Sequence, residues 1–151
     1  MWNEMEWICK AFDLLTPAEL YAILRLRNEV FVVEQRCIFQ DADNRDQQAH
    51  HLMCWSDNEL IAYARLLPPQ RMYEEASIGR VITAAIARNK KIGRELMQRS
   101  IAGCYSIFGK VSIKIGAQLY LKNFYESLGF IQTSEMYLED DIQHIEMILI
   151  P

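Results

Sequence analysis

The sequence lacks the features that mark several large classes of protein. Its 151 residues include only six glycines and four prolines, and no stretch rich in Gly, Pro or Ser divides the chain. No apolar run reaches the roughly 18 residues of a membrane-spanning helix, and the first residues are acidic, unlike those of a secretory signal peptide. We therefore expect a single domain over residues 1–151, a cytoplasmic location and no association with membranes.

Cysteine pairs and metal-binding motifs are also missing. The four cysteines lie far apart, without a C-x-x-C pair or a histidine at ligand spacing, so we expect buried free thiols. The run Asp41–Asp46 superficially resembles a calcium-binding loop, but it lacks the central Gly and the distal Glu of that motif. We interpret this run as a solvated loop and expect no metal site.

The sequence also has no excess of positive charge, but several of its positively charged residues are concentrated in one turn. The net charge of −4 argues against a general nucleic-acid surface. A basic turn nevertheless joins a strand-like run (78–83) to a helix-like run (95–105). A basic turn that opens a helix directs unpaired N–H groups and the positive end of the helix dipole at one spot, which suits a diphosphate. The residues predicted to form this cradle are Arg88, Asn89, Lys90, Lys91, Ile92, Gly93 and Arg94.

Periodicity predicts a mixed α/β (α+β) domain. Thr16-Pro17-Ala18-Glu19 has the pattern of a capping box with Pro at the first helical position, and it starts a long helix that should end near Val33, with Arg27 and Glu34 on one face. An Asp57-Asn58 turn predicts a hairpin. The predicted strands cover residues 7–12, 51–56, 59–67, 78–83, 111–116, 131–137 and 144–150, with a short helix near 119–128. This order gives a mixed sheet with helices on both faces.

Two segments together resemble the GNAT superfamily of acetyl-CoA-dependent N-acetyltransferases. The first is the basic turn with its helix, and the second is the run from Leu119 to Phe130, which reads LYLKNFYESLGF. The runs 27–35 (RNEVFVVEQ), 62–66 (AYARL) and 78–81 (IGRV), together with Gly116-Ala117-Gln118, are similar to the ElaA-like branch of that superfamily. The resemblance implies a GNAT fold, with a mostly antiparallel sheet of about seven strands in which two strands splay apart to admit the pantetheine arm.

The resemblance also assigns roles to residues of this chain. It implies that the strand Val81-Ile82-Thr83 lines the acetyl-CoA site, with an oxyanion donor near Ile82 or Thr83. Asn123 would bind the pantetheine arm, and Tyr125 would protonate the leaving thiolate. One position departs from the pattern, because Lys91 stands where the family usually has the first Gly of its phosphate loop. A left-handed turn there would cost a residue with a Cβ about 1 kcal/mol.

Acetyl transfer to an amine also requires a base. An amine with a lysine-like pKa must lose a proton, at a cost of about 4.6 kcal/mol at pH 7. Glu34, His51 and His144 are candidates by residue type, and histidine has the best matched pKa. A water relay to backbone carbonyls is an alternative. The acidic stretch 135–141 either attracts a cationic acceptor or forms a solvated loop.

Three functions fit the sequence. The favoured one is an N-acetyltransferase that moves an acetyl group from acetyl-CoA to the primary amine of a small molecule or peptide, by direct attack in a ternary complex. The second is a non-catalytic acyl-CoA-binding sensor module. The third is an acyl-homoserine-lactone synthase, which the short length and the recognisable cradle disfavour. Edge strands of the sheet also make a homodimer an expectation.

Overall fold

A computed structural model describes residues 4–88 and 90–151 of the protein. Eight strands form one sheet in this part of the chain, in the order β1-β2-β3-β4-β5-β8-β6, with β7 paired to β8. Among the strand pairings of residues 4–88 and 90–151, that of β4 with β5 alone is parallel. The strands are β1 (Met5–Ala11), β2 (His50–Ser56), β3 (Glu59–Leu67), β4 (Ala76–Thr83), β5 (Ile113–Gln118), β6 (Ile131–Gln132), β7 (Tyr137–Glu139) and β8 (Ile142–Leu149).

Helices cover both faces of this sheet, as the sequence predicted. They are α1 (Pro17–Arg27), a π-helix (Asn28–Glu34), α2 (Ile92–Phe108) and α3 (Lys122–Glu126). Successive residues of β3 point to opposite faces: Tyr63 packs under α1, whereas Ala62 and Ala64 pack under α2. The core is therefore two layers, one on each side of the sheet. No helix among residues 4–88 and 90–151 is long and apolar enough to cross a membrane.

Local signals in the sequence start and stop these elements where expected. Thr16 and Glu19 form the predicted capping box, in which Thr16 Oγ1 accepts from the Glu19 N–H and Glu19 Oε1 accepts from the Thr16 N–H. Asp57 and Asn58 both have positive φ, 51° and 62°, as a two-residue turn between right-twisted strands requires. The hairpin of β2 and β3 is confirmed.

The long first helix differs from its prediction in winding. It continues to Glu34, but from Asn28 onward it is a π-helix, in which the Gln35 N–H donates to Val30 O and the Cys37 N–H donates to Val32 O. The wider turn rotates Glu34 away from the face that Arg27 occupies, so the expectation that these two residues share a face is wrong. Arg27 is fully buried, whereas Glu34 is exposed.

The predicted strand 131–137 is also wrong, because it is two short strands, β6 and β7. Ser134 interrupts it: its Oγ accepts from the Glu146 N–H at 2.8 Å, a place that a backbone carbonyl takes in a regular ladder. The expectation of four buried cysteines needs correction as well. The cysteines are free thiols, but Cys9 is exposed and Cys37 is half-buried, with only Cys54 and Cys104 in the core. The single-domain and homodimer expectations stay predictions.

Candidate active site

Strands β4 and β5 separate after two residue pairs and leave an opening in the sheet. Their parallel pairing joins Ala76 to Ile113 and Ser77 to Lys114, and it ends there. On its other side β4 stays paired to β3, but the register shifts between Tyr63 and Arg65, and Arg80 has the positive φ of 49°. This irregularity turns the end of β4 away from β5.

The backbone of Thr83 faces this opening. Thr83 lies opposite Ala62, and the neighbouring Ala84 N–H donates to Ile61 O at 2.8 Å. Because hydrogen-bonded and non-hydrogen-bonded pairs alternate along an antiparallel ladder, Thr83 directs its N–H and C=O away from β3. By the same alternation the Ile82 N–H points toward β3. Of the two oxyanion donors predicted from the sequence, the Thr83 N–H has the suitable direction.

Helix α2 follows the end of β4 along the chain, and no side chain of the described residues is seen to cap its first turn. Lys91 is its N-cap residue and makes no side-chain capping bond within the described chain. The first N–H groups of this 17-residue helix are therefore available to an anion, supported by the helix dipole. Lys91, Lys90, Arg94 and Arg88 are exposed around this end, whereas Ile92 is buried in the core. Asn89 lies outside the described residues.

The structure gives the backbone conformations of Lys91 and Gly93, the two residues of the turn that bear on the glycine pattern. Lys91 has φ 60° and ψ 17°, which is the left-handed conformation. This conformation costs free energy for a residue with a Cβ, unlike the glycine that the family usually has at this position. Gly93 does not have positive φ, and a Cβ added to it would meet no atom of the described residues outside its own helical turn within 4 Å. The backbone at residue 93 is therefore open, which leaves space for a ligand beside the first turn of α2.

Arg94 links the start of α2 to the segment that contains Asn123 and Tyr125. Its guanidinium donates to Ser127 Oγ at 2.8 Å and lies 5.5 Å from the centre of the Phe124 ring. Asn123 is exposed on the short helix α3, and Tyr125 is 7% exposed. The Tyr125 ring makes edge contacts with Phe124 and Phe130, and burial raises the pKa of Tyr125 to about 12. The phenol therefore keeps its proton at neutral pH, as a general acid requires.

Glu34 lies near the basic turn. Its carboxylate accepts from Arg88 at 2.7 Å, and the same Arg88 nitrogen donates to Thr83 O at 3.1 Å. The π-helix, the basic turn and the end of β4 are thus joined through one guanidinium. Both side chains are partly exposed, at 41% and 31%, so the pair itself contributes little to stability.

The two candidate histidines have different surroundings. His51 is fully buried, its Nδ1 lies 2.6 Å from the Tyr63 hydroxyl and its Nε2 lies 2.9 Å from Asp46 O. The carbonyl requires Nε2 to carry the proton, so Nδ1 accepts from Tyr63, and burial lowers the pKa of His51. His144 stands on β8 opposite Gln118 of β5, beyond the last β4–β5 pair, and its Nδ1 lies 2.8 Å from Ile142 O.

The sequence did not predict a buried network of ion pairs that lies beside the opening. Three arginines of the framework bind three aspartates of the loop that was interpreted as solvated: Arg27, Arg65 and Arg80 with Asp41, Asp43 and Asp46. Arg65 binds Asp43 through two nitrogens, at 2.8 and 2.9 Å. Burial alone would raise the pKa of Asp43, but hydrogen bonding and charge from Arg65 hold it at about 2. The solvated-loop interpretation is therefore wrong.

This network also fixes the irregular point of β4. The Arg80 side chain pairs with Asp41 at 2.8 Å and lies over the rings of Phe31 and Phe39. The residue with positive φ at the opening is thus held by its side chain from the α1 face. An arginine inside an apolar run, such as Arg65 in 60–67, is the signal that could have revealed buried carboxylate partners.

The predicted site residues thus fall into two groups. The structure brings together the end of β4, Arg88, Glu34 and the start of α2, and Arg94 joins them to α3 with Asn123 and Tyr125. Val81 packs partly into the core beneath α2, and Ile82 is buried on the α1 face. His51 lies in the interior among the network, and His144 lies on β8.

Comparison with known proteins agrees with this geometry. Residues 22–151 match the acetyltransferase (GNAT) domain family. The chain is 41% identical to the protein ElaA of Escherichia coli K12 over 145 residues, which are 95% of each chain.

Two solved structures share the fold along nearly the whole chain. The crystal structure of E. coli ElaA superposes with a TM-score of 0.91 at 40% identity and covers 97% of this chain and 99% of its own. An acyl-CoA N-acyltransferase from Pseudomonas aeruginosa superposes with a TM-score of 0.93 at 42% identity and the same coverage. The chain therefore belongs to the GNAT acetyltransferase family, in its ElaA-like branch, and has the fold of an acyl-CoA N-acyltransferase.

Proposed function

We propose that the protein transfers the acetyl group of acetyl-CoA to a primary amine, by direct attack in a ternary complex. The observation that carries this proposal is the position of the Thr83 N–H. It faces the opening between β4 and β5, and the uncapped start of α2 follows on the same stretch of chain. One hydrogen-bond donor for a developing oxyanion and one anion site for a diphosphate therefore lie at the two ends of a short connection.

The cofactor-side roles follow from charge and exposure. The diphosphate of acetyl-CoA would bind the first N–H groups of α2, with Lys90, Lys91 and Arg94 as cations around them. Asn123 is exposed on α3 and would bind the amides of the pantetheine arm. Arg88 donates to Glu34 and to Thr83 O through one guanidinium nitrogen, which leaves its other N–H groups for a phosphate.

The chemical step needs one acid and one base. The amine nitrogen attacks the thioester carbon, the Thr83 N–H stabilises the oxyanion, and the C–S bond then breaks. Tyr125 donates its proton to the departing thiolate, and the base takes the proton that the amine nitrogen loses. Because a thiolate of pKa about 8.5 leaves fairly well unaided, the contribution of Tyr125 should be modest.

Among the three candidate bases the surroundings favour His144. His51 would have to break two buried hydrogen bonds to accept a proton, and Glu34 is held by Arg88. Neutral His144 donates from Nδ1 to Ile142 O, which leaves the lone pair on Nε2. We assign His144 as the base, with Glu34 positioning Arg88 and His51 stabilising the interior.

The replacement Tyr125→Phe tests the acid. We expect turnover to fall about 10-fold while the Kd for acetyl-CoA changes less than twofold, because the phenol acts on the departing thiolate. Stopped-flow detection of free CoA thiol and calorimetric titration measure the two quantities. Tyr120→Phe is the matched control, since Tyr120 is 77% exposed, and it should leave both unchanged. An unchanged rate in Tyr125→Phe at every pH would remove Tyr125 from the mechanism.

The replacement Glu34→Gln separates two roles. If Glu34 only positions Arg88, kcat should stay within about twofold, whereas loss of a general base should lower it by about 100-fold or more. His144→Gln should show that larger loss, together with loss of the acidic limb of the pH–rate profile. A large loss in Glu34→Gln with little change in His144→Gln would reverse the assignment.

A further inference from the structure

A second polar group lies on the α1 face of the sheet, beyond the last β4–β5 pair. Directly opposite residues of an antiparallel pair share a face, so Gly116 of β5 shares this face with Glu146 of β8, and Gln118 shares it with His144. Tyr137 of β7 stands opposite His144 and stacks on its ring at 5.9 Å. We call Tyr73, Tyr137, Glu139, His144 and Glu146 the tyrosine–glutamate cluster.

Gly116 is the floor of this cluster. A Cβ at residue 116 would lie 3.1 Å from the Tyr137 hydroxyl and 3.3 Å from the Tyr73 hydroxyl. Two phenol oxygens from separate segments therefore converge on one point above an exposed stretch of backbone. This floor is two residues past Lys114, where β5 loses its pairing with β4, so the cluster adjoins the opening that Thr83 faces.

The charges around these phenols are mainly negative. Glu139 and Glu146 both act on Tyr73 and Tyr137, and burial together with these carboxylates raises the pKa of Tyr73 to about 12. One ammonium group already lies at the edge of the cluster. Lys114 Nζ is 3.8 Å from Glu146 Oε1 and 5.6 Å from the centre of the Tyr73 ring, and it also pairs with Glu75 at 3.8 Å. Arg45 is a second cation near Tyr73.

His144 provides an independent indication of a ligand. It is 7% exposed, and its Nδ1 is occupied by Ile142 O. Its Nε2 has no hydrogen bond within the described chain, and Glu139 Oε2 lies 3.6 Å away. The buried imidazole of His144 therefore has a lone pair on Nε2 that can accept a proton from a ligand.

We infer that the tyrosine–glutamate cluster binds the acceptor, and that the acceptor is an amine cation without a carboxylate beside its amino group. The inference rests on the proposed function. Carboxylates and phenol oxygens can accept hydrogen bonds from an ammonium group, and Glu146 already lies 3.8 Å from the Lys114 ammonium. An α-carboxylate would instead face Glu139 and Glu146. His144 Nε2 takes the ammonium proton, and the neutral nitrogen then attacks the thioester carbon.

Matched acceptor pairs test this inference with the full-length protein. Tyramine and agmatine are tyrosine and arginine without the carboxylate, and in both amino acids the amine that can be acetylated lies beside that carboxylate. We therefore expect kcat/KM to be at least about 10-fold higher for each amine than for its amino acid. Equal or higher values for the amino acids would overturn the inference, although acetyl transfer itself would stand. Failure of all four compounds, with free CoA never released, would overturn the inference together with the proposed function.

Variants locate the site. Glu146→Gln should raise KM for tyramine at least about 10-fold and leave the Kd for acetyl-CoA unchanged. Gly116→Ala should also raise this KM, because the added methyl group fills the point on which the two hydroxyls converge. Glu59→Gln removes the same charge from an exposed position at the start of β3 and should change neither quantity. A wild-type KM in both cluster variants would place the acceptor elsewhere.

Discussion

The replacement Gly93→Asp should affect binding and stability in opposite directions. Among residues 4–88 and 90–151, no atom outside the same helical turn lies within 4 Å of a Cβ at this position, and the backbone does not have positive φ, so the fold should accept the side chain. A carboxylate in the first turn of α2 interacts favourably with the helix dipole, by about 0.3–1 kcal/mol. Replacing glycine by aspartate in a helix adds roughly 0.3 kcal/mol, because the helix propensity of aspartate is only slightly better than that of glycine. The variant should therefore be at least as stable as the wild type.

Binding of acetyl-CoA should nevertheless be lost. If the diphosphate lies about 5 Å from the new carboxylate, repulsion at an effective dielectric constant of about 20 is about 3 kcal/mol per unit charge. That energy corresponds to a Kd more than about 100-fold higher. Isothermal titration with acetyl-CoA measures the Kd, and urea unfolding measures the stability of the same sample.

The neutral variants Gly93→Asn and Gly93→Ala separate charge from size. Asn has nearly the shape of Asp, so a much smaller loss of affinity in Gly93→Asn would identify repulsion as the cause. Wild-type affinity in Gly93→Asp would refute the assignment of the start of α2 as the diphosphate site. A destabilised Gly93→Asp would contradict the open surroundings of this residue.

Three further predictions concern strain and buried charge. Lys91→Gly should increase the free energy of unfolding by about 1 kcal/mol, because glycine adopts left-handed φ without cost. Acetyl-CoA binding should weaken, because a cation is lost. An unchanged free energy of unfolding would contradict a strained backbone at Lys91. Asp46→Asn removes a carboxylate that binds the buried guanidinium groups of Arg27 and Arg65, so the free energy of unfolding measured in urea should fall by about 3–5 kcal/mol. The control Asp13→Asn, at an exposed position, should lower it by less than about 0.5 kcal/mol. The free energy of unfolding should fall as the pH is lowered below about 6.5, because the pKa of His51 is lower in the folded than in the unfolded state. It should fall further between about pH 4 and pH 2, where Asp43 protonates only in the unfolded chain. A flat profile from pH 7 to pH 5 in urea unfolding would contradict the burial of neutral His51.

Local patterns predicted most of the framework. The capping box at Thr16, the turn at Asp57-Asn58 and the basic turn before α2 each depend on residues within a few positions of one another. Such short-range chemistry is visible in a sequence. For the same reason the position of Lys91 in the glycine pattern was enough to anticipate the cost of a left-handed conformation there.

The parts that were not predicted depend on distant partners. Asp41 was interpreted as solvated because its partners, Arg27 and Arg80, are 14 and 39 residues away. Likewise Ser134 ends β6 by bonding to Glu146, 12 residues further on. The tyrosine–glutamate cluster combines the segment before β4 with β5, β7 and β8, and no local pattern indicates that Tyr73 and Tyr137 meet above Gly116.

Acetyl transfer to an amine can be followed through the CoA that it releases. The protein is incubated with acetyl-CoA and a panel of primary amines, free CoA thiol is followed continuously, and the acetylated amine is identified by mass spectrometry. We expect CoA release that requires the amine, equals the amount of N-acetylated product and is reduced in Tyr125→Phe. Tight binding of acetyl-CoA without transfer to any amine would contradict it and identify an acyl-CoA-binding sensor.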